Sequence, residues 1–177
     1  IESAEEPYPV FIVSAEGGGI RAAFWTAGLL GAIQDAEPAF SDHVLAISGV
    51  SGGSLGAATY AALVAESRRG GLRVANESDG MGPFEALAGQ VLGRDYLSPV
   101  LATMLIPDVA ACLLHGAWGE DRAVVLERMF ELGWRQAVGT DAFEAPLSAL
   151  WHDAAVHRVP TVFLNSTEAA SGRRVVN

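Results

Sequence analysis

Two glycine-bearing runs in this chain have the residue types and spacing that acyl-transfer chemistry needs. The first is Gly49-Val50-Ser51-Gly52-Gly53, a G-x-S-x-G pattern. A serine that attacks a carbonyl must stand out on a turn too tight for side chains two positions away on either side, which explains glycine at those offsets. Ser51 is therefore the candidate nucleophile, Gly49 and Gly53 support the turn, and Ser48 and Ser54 are assigned supporting roles. The second run is Glu16-Gly17-Gly18-Gly19-Ile20-Arg21-Ala22. Gly17, Gly19 and Ala22 also fit a dinucleotide fingerprint, but that reading needs an acid at the end of the second strand. Ser48 to Ser51 stand there instead, while Asp35 and Glu37 precede that strand. The run fits an oxyanion loop better: glycine lets backbone N–H groups come close to the negative oxygen that serine attack creates.

The elements that must position these runs are readable. "YPVFIVSA", residues 8–15, is a β-branched apolar run expected to form a strand buried on both faces. "GIRAAFWTAGLLGAIQDA" follows as a helix, apolar nearly all round and expected to be deeply buried. "HVLAIS" is a second strand and "GGSLGAATYAALVAES" a second helix, stopped by Gly70 and Gly71. Strand, helix, strand, helix predicts a parallel α/β sheet with right-handed crossovers. In such a sheet the loops after both strands emerge at one edge, which brings the glycine loop to Ser51.

Residues 83–152 read as mostly helical. Pro83 opens one helix, Ser98 caps another with Pro99 at its first position, and residues 120–138 form an amphipathic helix with Leu126, Met129, Phe130 and Trp134 on its apolar face. "PTVFLNST" returns to strand character and "SGRRVVN" turns into a further strand. Neither repeats nor an interdomain linker appear.

The paired motifs resemble the patatin-like phospholipase family, whose pattern is a strand, D-G-G-G-x-R/K-G, a helix, a strand and G-x-S-x-G. "EGGGIRA" and "GVSGG" match in order and spacing over about residues 9–65, and "PTVFLNSTEAASGRR" is similar to a later family strand. Glu16 replaces the family's Asp, and Ala22 its last Gly. The resemblance implies a single patatin-like α/β domain over residues 1–177, with a three-layer parallel-sheet fold, helices on both faces, and an incomplete C-terminal side. It implies a lipid acyl hydrolase with Ser51 as nucleophile, Gly17, Gly18 and Gly19 as the oxyanion loop, and Arg21 stabilising that loop or meeting a phosphate headgroup; an ion pair of Arg21 with Glu16 is the alternative. No metal or organic cofactor is implied, and the partner is a lipid or membrane-surface substrate.

The family's base is an aspartate in a D-G-G/A motif, which no residues after Asn165 supply. Asp79-Gly80 lies too early in the topology and reads as a turn. The expectation is that the aspartate lies beyond residue 177, and that the segment alone is inactive and associates with itself. Two rival readings remain: a lipid-binding or scaffold module that keeps the elbow without catalysis, and an α/β-hydrolase-like esterase or thioesterase whose triad uses His152 or His157.

Composition narrows the partners. The chain has 177 residues and a formal charge of −10, with arginine as its sole basic type. With a pI near 4.7, nucleic acid is a poor partner. A mean hydropathy of +0.28 argues against disorder of the whole. One cysteine, Cys112, precludes an internal disulfide and reads as a buried inert thiol. His43, His115, His152 and His157 lack metal-site spacing. The apolar window from Tyr96 to Trp118 carries Pro99, Pro107 and Asp108 and is too interrupted to span a bilayer. The stretch around Leu97 to Leu114 within it reads as core, as the wall of an acyl channel or as a lipid-docking surface. Localisation is left open between the cytoplasm and a peripheral membrane position.

Overall fold

A computed structural model describes residues 8–72, 80–105, 122–153 and 158–176. The lead-in at 1–7, Asp79, Cys112, His115 and His157 lie outside the described residues. The chain is a mixed α/β protein built on a four-stranded sheet of order β1-β2-β3-β4. These strands are β1 (Phe11–Ala15), β2 (Val44–Val50), β3 (Thr161–Thr167) and β4 (Arg174–Val176). The first three run parallel, and β4 returns antiparallel to β3 through a short turn.

Helix α1 (Gly19–Ala36) and the short α2 (Phe40–His43) connect β1 to β2, and α3 (Gly52–Gly70) leaves β2 directly after Ser51. Val13, Ile47 and Val162 lie side by side in the register. Small residues on α3 (Ala57, Ala61, Ala65) let it lie close against this row, and all three are fully buried. The opposite face of the sheet stays open: Ile12 is 71% exposed and Phe163 41%. Among the described residues, helical cover is thus found on one face only.

Burial of β1 on both faces is not what the structure shows, because β1 is an edge strand and its outer face is uncovered by described residues. Helix α1 also departs from expectation. Ala23, Ala27 and Leu30 face the core, but Trp25 is 70% exposed, and Phe24 and Leu29 are exposed as well. Its partners α3 and α4 (Pro83–Leu92) cover one side of the helix only.

Long-range polar contacts fix the helices. Asp35 near the end of α1 accepts hydrogen bonds from the Phe84 and Glu85 N–H groups at 3.0 and 2.9 Å, capping α4 from another element. Buried Gln34 accepts from the Tyr60 hydroxyl and the Ser41 N–H, both at 2.9 Å, tying α1 to α3 and α2. Helix α5 (Leu97–Thr103) starts two residues earlier than a Ser98 cap with Pro99 at the first position predicts. Asp95 is the reason: its Oδ1 accepts from the Leu97 and Ser98 N–H groups. Helix α6 (Arg122–Val138) buries Trp134 against Phe143, with ring centroids 4.4 Å apart. No helix among the described residues is long and apolar enough to cross a membrane.

Candidate active site

Ser51 occupies the turn between β2 and α3 with φ 51° and ψ −121°. A positive φ is uncommon for a residue with a Cβ, and holding one in such a region costs of order 1–3 kcal/mol. Strain of that size persists where the surroundings leave the chain no alternative. Here they do so by backbone contact. A Cβ on Gly49 would lie 2.6 Å from the Ser54 Cα and N, below any ordinary contact. A Cβ on Gly52 would collide with the carbonyl oxygen of Gly19, and one on Gly53 with those of Ala15 and Glu16. The elbow and the glycine loop are therefore packed backbone on backbone, and glycine is the only residue that fits between them.

The spacing alone did not decide which serine is exposed, because Gly52-Gly53-Ser54-Leu55-Gly56 satisfies the same pattern. Ser54 lies within α3, and its Oγ is buried with no hydrogen-bond partner among the described residues. Ser51 is exposed, and as N-cap residue it makes no side-chain cap bond. Among the described residues, its hydroxyl has no hydrogen-bond partner.

Two helix N-termini meet at this serine. Helix α3 begins at Gly52, and α1 begins at Gly19 with Gly18 as N-cap, again without a side-chain cap bond. The first N–H groups of a helix have no intrahelical partner, and they sit at the positive end of its dipole. A Cβ on Gly17 would lie 3.4 Å from the Ser51 Cβ and one on Gly52 would meet Gly19, so Gly17 and Gly19 border the elbow, with Gly18 between them in the loop. An oxygen carrying negative charge beside Ser51 would find unpaired N–H donors from two elements.

Ser51 also borders two cavities. One, of about 730 Å³, has Glu16, Ser48, Asn165, Thr167 and Arg174 among its lining residues. The other, of about 560 Å³, is apolar and lined by Ile20, Leu55, Tyr96, Val100, Leu126 and Phe130. Burial pushes the Tyr96 phenol above its ordinary value, and its hydroxyl donates to the Val91 carbonyl. Leu126 and Phe130 belong to the apolar face of α6. Trp134 further along α6 is core indeed, but these two line the cavity.

Other candidates fall elsewhere. Arg21 is exposed and lines a groove with Glu16, Gly17 and Gly18, and no ion pair joins it to Glu16 among the described residues. His152 is exposed, and its Nδ1 lies 2.9 Å from the Ser148 carbonyl of its own turn. His43 bonds the Pro9 carbonyl in the same way. No Asp, Glu or His side chain among the described residues is hydrogen-bonded to Ser51, and none forms a metal-holding cluster. Gly52 and Asn165 are site residues that pattern reading missed. The doubled glycine after Ser51 was the available signal for Gly52, whereas nothing local marks Asn165. No family model, curated protein or solved structure matches the chain.

Proposed function

We propose that this protein is a serine hydrolase of carboxylic, lipid-type acyl esters, with a patatin-like arrangement of elbow and oxyanion loop. The observation that carries the reading is the strained, exposed Ser51 wedged against the glycine loop at the meeting of two helix N-termini. Ser51 Oγ attacks the ester carbonyl carbon and forms the new C–O bond, while the carbonyl oxygen takes the negative charge against the N–H groups of the loop and α3. Collapse expels the alcohol, which takes up a proton, and leaves an acyl-enzyme. Water then attacks the acyl carbon, releases the acid and restores the serine hydroxyl.

The cavity lined by Ile20, Leu55, Val100, Leu126 and Phe130 supports an acyl chain as the substrate portion beside Ser51, and the polar side chains Glu16, Asn165 and Arg174 in the other support an ester headgroup side. In this reading the base that accepts the Ser51 proton is the aspartate of a D-G-G/A motif, which the 177 residues do not contain. The finer fold in this reading is a three-layer one, with helices on both faces of the sheet.

The test is hydrolysis of p-nitrophenyl esters by the full-length protein. Activity is expected, with Ser51→Ala reduced to background and unchanged in fold. A Ser51→Ala protein as active as the parent would remove the reading.

A further inference from the structure

Asn165, near the middle of β3, sends its side chain across to β2 just upstream of the elbow. Its Nδ2 donates to Ser48 Oγ at 2.9 Å and to the Gly49 carbonyl at 3.0 Å. Its Oδ1 accepts from Arg174 on β4, from Nε at 3.1 Å and from Nη2. This second contact decides which way the amide points. Arginine offers donors alone, so the amide oxygen must face Arg174, and both amide hydrogens are then directed at β2.

The elbow has two limbs that must be held for Ser51 to keep its positive φ. The downstream limb is fixed by α3 and by the contact of Gly52 with Gly19. The upstream limb is Ser48-Gly49-Val50, in which Val50 is half exposed and Gly49 has no side chain to pack. Among the described residues, the side-chain hydrogen bonds reaching this limb come from Asn165. We infer that Asn165 is a positioning residue for Ser51, with its amide oriented by Arg174, so that the β hairpin of β3 and β4 sets the aim of the nucleophile.

The inference rests on Ser51 being the nucleophile. Its consequence is specific: loosening this limb moves Oγ relative to the oxyanion loop, and because Asn165 and Arg174 also line a cavity beside Ser51, the shape-conserving Asn165→Asp is the variant in which kcat falls while KM holds. Asn165→Asp keeps the shape and still accepts from Arg174, but it has no N–H for Ser48 or Gly49. Asn165→Leu removes both sets of bonds.

The experiment measures ester hydrolysis and thermal unfolding of the full-length protein for Asn165→Asp, Asn165→Leu, Arg174→Ala, Arg174→Lys and the Asn165→Leu/Arg174→Ala pair, beside Ser51→Ala. Both Asn165 variants are expected to lose roughly 10- to 100-fold in kcat, the scale of a displacement of up to about 1 Å at a reacting group, with KM within about threefold for Asn165→Asp. Arg174→Ala should lose less, Arg174→Lys should restore activity, and Arg174→Ala should add nothing to Asn165→Leu. Asn165→Asp supplies the answer where the leucine variant fails to fold. Wild-type kcat in Asn165→Asp, a loss confined to KM, or additive losses in the pair would overturn the inference while leaving Ser51 in place. Wild-type activity in Ser51→Ala would instead overturn the reading beneath it.

Discussion

Gly52→Ala places the added methyl group where the carbonyl of Gly19 now lies. The Gly19 carbonyl carbon is 2.8 Å from that position, against about 3.4 Å for the start of ordinary contact, and the carbonyl oxygen is closer still. The two loops must therefore part by something near 1 Å, a misplacement that costs on the order of 10²-fold in turnover when it separates a nucleophile from its oxyanion donors. Overpacking of this kind costs about 1–3 kcal/mol. At roughly 2–4 °C per kcal/mol for a chain of this size, the melting temperature should fall by about 2–12 °C. Gly28→Ala in the middle of α1 is the matched control, because a Cβ there meets nothing within 4 Å. The same substitution should then stabilise by about 0.5–1 kcal/mol through helix propensity, and leave hydrolysis unchanged. Melting curves and p-nitrophenyl ester turnover for the two variants, side by side, give the comparison. If Gly52→Ala behaves as Gly28→Ala does, the loops are not interlocked and the argument fails.

Two further outcomes follow from contacts far from the elbow. Asp35→Ala leaves the Phe84 and Glu85 N–H groups without their cap and should cost about 1–2 kcal/mol in urea unfolding, with Asp35→Asn recovering much of it because asparagine caps well. Leu126→Trp fills part of the apolar cavity beside Ser51. Across a p-nitrophenyl ester series it should leave acetyl turnover intact and lower kcat/KM for long chains by about fourfold per excluded methylene, from ~0.8 kcal/mol each.

What was legible in the sequence was local. The run Val10 to Val13 followed by glycines marks strand, loop and helix in order, and Pro83 marks the first residue of α4, because each signal acts within a few residues. The start of α5 was displaced by two residues because Asp95, not Ser98, satisfies its first N–H groups. Asp35 caps α4 across 49 residues, and Asn165 reaches Gly49 across 116, distances over which no spacing rule operates. Composition said that α1 is apolar on every side, but it could not say which side α3 and α4 cover. The elbow was readable as a motif, whereas the choice between Ser51 and Ser54 required the backbone: one serine holds a positive φ at a strand end, and the other is sealed within a helix.

The most direct measurement is the site of covalent modification by a fluorophosphonate, which reacts with serines activated for acyl transfer. Tandem mass spectrometry of the labelled full-length protein separates Ser48, Ser51 and Ser54 within one peptide. The account predicts a single adduct on Ser51, absent from Ser51→Ala and slowed in Gly52→Ala. An adduct on Ser48 or Ser54, or undiminished labelling of Ser51→Ala, would contradict it.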